Sequence, residues 1–356
     1  MNKIKQTIKQ ISGIDARLVG RTQERLDNLT KPPGSLGRME EVAKQIVGIT
    51  GKEDPQLKKK VIFTLAADHG VTQEGVSAYP QEVTAQMVYN FLNDGAAINV
   101  LAKHVGAKVV VVDIGVASKL KIPVSKRANF IDEKINFGTK NIAQGPAMTR
   151  QEAVKAIETG IDIFEDEFRN GIDIIGTGEM GIGNTTASTA IAAVFTKSAI
   201  KDLTGRGAGL DDTALQNKIK VIRQVLKVNM PDPNDPIGVL AKVGGYEMGG
   251  LAGIILGAAS RKVPVVVDGF ISTAAALIAY HIEPKVKGYM ISSHVSVEIG
   301  HRICLDHIGI RPLFDLNLRL GEGTGAALGI NICEASVKIL TQMATFKSAG
   351  VSQRSK

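Results

Sequence analysis

Tryptophan is absent from the chain, and aromatic residues make up only 4% of it. Proteins that track single-stranded nucleic acid stack bases on aromatic side chains set among cations, so this scarcity argues against that class. The two cysteines, Cys304 and Cys333, form no C-x-x-C pair, and neither a disulfide framework nor a zinc knuckle is supported. No apolar run approaches the ~20 residues of a membrane-spanning helix. The longest, Leu251 to Ala259, is interrupted by glycine. The opening residues, MNKIKQTIKQ, are polar and cationic with no apolar segment behind them, which points to a soluble cytoplasmic protein with no membrane partner. No glycine run is followed by the G-K-S/T of a P-loop, and there is no G-x-S-x-G elbow for a nucleophilic serine.

The 356 residues suit one large or two modest domains. With 44% hydrophobic and 22% charged residues the chain has an ordinary globular composition. Its net charge of +8 suggests a polyanion partner until the charge is located. Residues 1–60 hold 13 Lys/Arg and 7 Asp/Glu, and residues 338–356 hold four cations and no acid. The stretch between them is slightly acidic, so basicity belongs to the ends and nucleic acid is not an expected partner. Glycine is in excess, at 38 residues against a usual ~7%. There is no collagen period, so the excess is expected in turns and ligand-approach loops.

Short β-branched runs recur at Val61–Ala67, Lys108–Val112, Ile172–Ile175, Val263–Val267 and Val286–Ile291. Each is nearly continuous in apolar residues, as strands buried on both faces are. Longer helical patterns lie between them, including 83–101, 150–169, 186–195 and 215–227. The alternation predicts an α/β fold with a mostly parallel open sheet flanked by helices, Rossmann-like in style. Residues 1–30 and about 326–345 read as helices without strands between them. The expected division is an α/β domain over 31–305 and a small helical domain from 1–30 plus 306–356.

Several runs end in an acid and a glycine: Asp68 with Gly70, Asp113 with Gly115, Asp268 with Gly269. In open α/β sheets ligands sit beyond the carboxyl ends of the strands. Gly176-Thr177-Gly178-Glu179-Met180-Gly181 fits G-x-G-x-x-G, read as a turn between a strand and a helix. The acid that holds a dinucleotide's ribose, ~20 residues on, is missing, which favours a phosphate- or ribose-binding turn. Gly205-Arg206-Gly207 is a second flexible turn, either an exposed loop or backbone approaching an anion, with Lys218 near enough in sequence to add a point charge. Asp68 and His69 read as a structural hydrogen-bonding pair. His294, His301 and His307 lack the i, i+4 spacing of helical metal ligands, so no metal is expected. The run Gly321-Glu322-Gly323-Thr324-Gly325 places a carboxylate between glycines amid leucines and alanines. A partly desolvated glutamate there has a raised pKa and suits a general base near neutrality.

Five strings, Lys31–Gly37 (KPPGSLG), Ala67–Val71 (ADHGV), Glu74–Thr84 (EGVSAYPQEVT), Gly178–Thr186 (GEMGIGNTT) and Leu318–Gly325 (LRLGEGTG), together closely resemble the nicotinate-nucleotide–dimethylbenzimidazole phosphoribosyltransferase family of cobalamin nucleotide-loop assembly. The match runs in order from about residue 30 to 330. It implies transfer of the 5-phosphoribosyl group of nicotinate mononucleotide to 5,6-dimethylbenzimidazole, giving α-ribazole 5′-phosphate and nicotinate. It also implies Glu322 as general base, Glu179 and Gly181 around the ribose and base, Lys218 and Ser296 near the phosphate, and Met180 and Leu320 along the slot for the incoming base. Tyr79, within the third string, Gln86, just beyond it, and Arg206 complete the substrate-binding candidates. A homodimer and no cofactor are further implications of the resemblance.

The chemistry fits these residues. A pyridinium glycoside loses a neutral pyridine, so the leaving group needs no acid. The incoming azole becomes cationic unless its N–H proton is removed, so one base suffices. In-line displacement inverts the anomeric carbon from β to α. No pyrophosphate leaves and no DDxxxTG signature is present, so Mg²⁺ is not called for. Met180 stands where the family often carries a branched aliphatic, and methionine's adaptability suggests a slot open to related bases. The alternative functions are a non-catalytic nucleotide-binding module, which has no use for Glu322, and a dinucleotide-dependent oxidoreductase, which lacks its ribose acid.

Overall fold

The computed structural model describes residues 1–207 and 209–352. Seven strands among them, β1 (Lys60–Ala67), β2 (Ala107–Gly115), β3 (Phe130–Asp132), β4 (Ile174–Met180), β5 (Val265–Val267), β6 (Met290–Ser296) and β7 (Pro312–Leu318), form one sheet in the order β3-β2-β1-β4-β5-β6-β7. Every pairing is parallel. The order runs outward in both directions from β1 and β4, which makes their carboxyl ends the switch point where ligands lodge in such sheets.

The apolar runs are strands because both of their faces are covered. Along β1, Phe63 and Leu65 face one core while Ile62 and Ala66 face the other. The first core is filled by helices that include Arg150–Phe168, Asn184–Thr196, Tyr246–Ser260 and Phe270–Ile282; the second by Arg38–Thr50, Ala97–Val105 and Thr324–Gln342. The predicted helix over 83–101 is two helices, Val83–Leu92 and Ala97–Val105, broken where Asp94 takes a positive φ of 59°. β3 and β7, both at the sheet's edges, carry no long apolar run and were not legible as strands.

The expected division of the chain meets a different arrangement. β7 lies within 306–356 yet pairs with β6 in the main sheet. The helix Thr324–Gln342 begins in the second core, with Ala326 and Ile330, and ends with Leu340 in a small cluster beside Leu26, Leu29, Ala43 and Val47. An isolated antiparallel bridge, Leu29 to Thr345, ties the two chain ends there. The first helix, Asn2–Lys9, instead packs on the main body, with Ile4 in the first core and the terminal amine paired to Glu158 at 2.6 Å.

The glycine excess also has a second home. In the helix Tyr246–Ser260, Gly253 lies so close to the helix Arg150–Phe168 that a Cβ would overlap the Ile157 carbonyl, and a Cβ on Gly160 would overlap that of Gly250. These glycines let two helices approach backbone to backbone, which brings the first core tightly under the sheet. No helix among the described residues is long and apolar enough to cross a membrane. Gly253→Ala forces the helices apart, and overpacking of this kind costs about 1–3 kcal/mol or more. Urea unfolding followed by circular dichroism should show that loss; an unchanged midpoint would mean the contact is not constraining.

Candidate active site

The switch point opens into a cavity of about 580 Å³. Its inner wall is built where β4 ends in Glu179 and Met180, β5 leads into Asp268-Gly269, and β7 leads into Gly321-Glu322-Gly323. Three consecutive positive φ angles, 83°, 64° and 95°, carry the last turn. Glycine tolerates that backbone; a glutamate in it costs of order 1–3 kcal/mol unless the surroundings over-determine it. They do. The Thr64 hydroxyl on β1 donates to the Glu322 carbonyl at 3.0 Å, and both Asp268 oxygens accept backbone N–H groups, from Gly323 at 3.1 Å and Ala326 at 3.0 Å. Gly178 on β4 has no side chain, and a Cβ there would overlap the Glu322 carbonyl oxygen. The turn is thus pressed against the strand, and the glutamate side chain is held at the cavity.

The Glu322 carboxyl is buried, at 5% exposure. Desolvation raises its pKa, opposed only by the Ile98 N–H that donates to Oε2 at 3.4 Å. Glu179 is buried beside it, with Oε2 accepting from the Asn184 amide. Burial, then the charges of Asp268 and Glu247, hold its carboxyl well above the ordinary range. Burial lifts Asp268 to about 7 despite its backbone donors. A wall of crowded carboxyls with raised pKa values can hold and exchange protons near neutrality.

Thr185, Gly207, Ser296 and Glu298 also line the cavity. Lys218 lies immediately behind, fully buried, its Nζ donating to Thr185 Oγ1 at 2.8 Å and to the Gly205 carbonyl at 3.4 Å. Burial lowers its pKa to about 8. Ser296 is fixed from both sides: its Oγ donates to the Leu318 carbonyl at 3.1 Å, and its N–H donates to His301 Nδ1 at 2.9 Å. Because Nδ1 accepts, the proton of the neutral His301 sits on Nε2, which donates to Thr273 at 2.9 Å. Burial keeps that imidazole neutral, lowering its pKa to about 3.

A family model described as phosphoribosyltransferase matches residues 11–351. The chain belongs to that phosphoribosyltransferase family. It is 56% identical over 353 residues to a nicotinate-nucleotide–dimethylbenzimidazole phosphoribosyltransferase of Geobacter sulfurreducens, covering 99% of each chain. It is equally similar, at 56% over 351 residues, to the protein of that name from Geobacter metallireducens, covering 99% of this chain and 98% of the relative. Among solved structures it superposes on the Thermus thermophilus protein of that name with a TM-score of 0.90 and 41% identity, covering 96% of this chain and 100% of that one.

Within this phosphoribosyltransferase, most of the sequence-derived candidates converge. Tyr79, Glu179, Met180, Gly181, Arg206, Ser296, Leu320 and Glu322 line the one cavity. Lys218 stands behind the lining, and Gln86 does not join it. Gln86 is exposed on the helix Val83–Leu92, whose cavity face is Val83 and Met87. Arg206 reaches the lining, but its guanidinium is paired with Asp212 and donates to the Leu210 carbonyl at 2.9 Å. Gly176 and Gly178 are strand residues of β4, not a turn, and their glycine character serves contact with the Glu322 turn and Ala326. His69 pairs with Glu247 at 2.7 Å and Asp68 accepts from Ala117 N–H at 2.7 Å, both buried beneath the site. His307 turns away from His294 and His301 to meet His281 at 3.1 Å. Among the described residues, no group of three or more His, Cys, Asp or Glu is arranged around a metal position.

Two contributors went unrecognised in the sequence. Asp268 stood out only as an acid ending a strand, and Glu298 has no motif around it. Removing the Asp268 carboxyl leaves two buried backbone donors unsatisfied, each costing about 1–3 kcal/mol. Asp268→Ala should therefore lower stability by roughly that amount or more in chemical denaturation. Wild-type stability would show that the Glu322 turn holds without it.

Proposed function

We propose that the protein transfers the 5-phosphoribosyl group of nicotinate mononucleotide to 5,6-dimethylbenzimidazole or a related base, releasing nicotinate, with Glu322 as the base. The single observation that carries this is a desolvated carboxylate kept on a left-handed backbone between two glycines at the cavity wall. Local strain of that kind persists where a site needs it. The names and extent of the related phosphoribosyltransferases support the substrate pair.

The chain's own groups account for each need of the reaction. The nicotinate leaving group departs neutral at its ring nitrogen and needs no acid. The azole's second nitrogen must lose its proton as the first attacks the anomeric carbon, and the raised pKa of Glu322 matches that task near neutrality. Glu179, whose carboxyl burial and neighbouring charges hold well above the ordinary range, faces the cavity beside Glu322, within reach of a ribose or base polar group. Lys218 with its partner Thr185, together with Ser296, is our assignment for the 5′-phosphate. Met180 and Leu320 offer an apolar slot to the flat base. The protein is further proposed to act as a homodimer; the open edge of β7, with Leu316 exposed, supports a covered surface there.

Incubating the protein with both substrates should release nicotinate and form the α-anomeric product; no nicotinate release would overturn the reading. Glu322→Gln should lower turnover by about 10²–10⁴-fold. Because Glu322 must be ionised to act and its pKa is raised, kcat/KM should fall as pH drops through a value above the ordinary glutamate ~4.3. Retained turnover in the glutamine variant would remove Glu322 from the chemistry. Benzimidazole and adenine should also react at Met180's slot, and turnover of dimethylbenzimidazole alone, with a phenol as further control, would show the slot to be selective.

A further inference from the structure

Beside the groups assigned to the phosphate, one side chain is unaccounted for by the transfer chemistry. Glu298 follows β6, is 6% exposed, and lines the same cavity as Ser296 and Gly207. A carboxylate is an unexpected neighbour for a phosphate, yet its position is tightly specified. Its Oε1 accepts the Gly207 N–H at 2.8 Å, and its own N–H donates to Ser296 Oγ at 3.3 Å. Gly205 must be glycine for this to occur, since a Cβ there would overlap the Glu298 carboxylate. The carboxylate and the Gly205–Gly207 backbone therefore fit as a unit.

We propose that Glu298 is a positioning residue for phosphate recognition, its carboxylate bracing the Gly205–Gly207 backbone to which the buried Lys218 also donates, and standing there as that lysine's counter-charge. This rests on the phosphoribosyl-transfer reading of the cavity. Lys218 meets the Thr185 hydroxyl of the helix Asn184–Thr196 and the Gly205 carbonyl, both neutral. Among the described residues Glu298 supplies the charge whose field raises the Lys218 pKa, against the burial that lowers it to about 8. The neighbouring cation Arg206 is spent on Asp212, which lies on the same helix as Lys218. Without Glu298, Lys218 loses its proton at lower pH, and a neutral amine no longer attracts a phosphate dianion.

The role separates into a hydrogen bond and a charge, and two variants separate them. Glu298→Gln keeps an oxygen for the Gly207 N–H and removes the charge; Glu298→Ala removes both. Calorimetry with nicotinate mononucleotide, nicotinate riboside and inorganic phosphate, from pH 6 to 9, reads the effect on folded protein whose thermal melting is checked first. Glu298→Ala should weaken the mononucleotide and inorganic phosphate about tenfold and leave the riboside unchanged. Glu298→Gln should recover most of that affinity at pH 6 and lose it at lower alkaline pH than the wild type does. Wild-type affinity for the mononucleotide throughout that range in both variants overturns the proposal, and so does an equal loss for the riboside. If the wild type binds phosphate in this Glu298-dependent way yet releases no nicotinate, the transfer reading fails and the phosphate site stands.

Discussion

The site depends on one close approach, that of the Gly321–Gly323 turn to the strand β4. Glu322 occupies a backbone conformation that a glutamate adopts only under constraint. The constraint is steric from Gly178, where a side chain would push the turn away, and polar from Thr64 and Asp268, which hold the turn's carbonyl and N–H groups. The parallel sheet makes this possible because β1, β4 and β5 end together at one edge. The three grips come from three neighbouring strands or the residues that follow them. Their shared outcome is a carboxyl drawn out of water while still reaching the cavity.

Charge is unevenly distributed around the cavity. Glu179 and Glu322 line the cavity with Asp268 buried behind the Glu322 turn, and all three have raised pKa values. Lys218 is buried behind the lining, donating to Thr185 and to the Gly205 carbonyl. The chain's net +8 contributes little to this, since its excess cations lie near the termini. A few buried groups, whose mutual fields are weakly screened, carry the site's electrostatics.

The alternation of apolar runs and helical patterns made the α/β class and the strands β1, β2 and β5 legible, because these are apolar runs covered on both faces over most of their length. Edge strands escaped for the same reason: β7 is largely exposed and has no continuous apolar run. The run Val286–Ile291 was only partly a strand, since Pro284–Tyr289 is a 3-10 turn and β6 is Met290–Ser296. The place of Glu322 in the cavity wall was legible from its local sequence, a carboxylate among glycines and leucines. Gly176 and Gly178 misled, since a glycine pair reads as a turn, whereas here it is a strand stripped of side chains to admit a neighbouring backbone. Gly160 and Gly253, part of an excess expected in turns and loops, instead serve a helix crossing that no local pattern reveals. Glu298 was invisible because its meaning lies in Gly207, 91 residues away.

The central claim is that this fold holds Glu322 as a desolvated base, and the carboxyl's own titration tests it most directly. Carbon-13 NMR of glutamate-labelled protein, with the Glu322 signal assigned by its loss in Glu322→Gln, would follow that single group. The account predicts a midpoint above the ~4.3 of an ordinary glutamate. A midpoint at or below that value would contradict it.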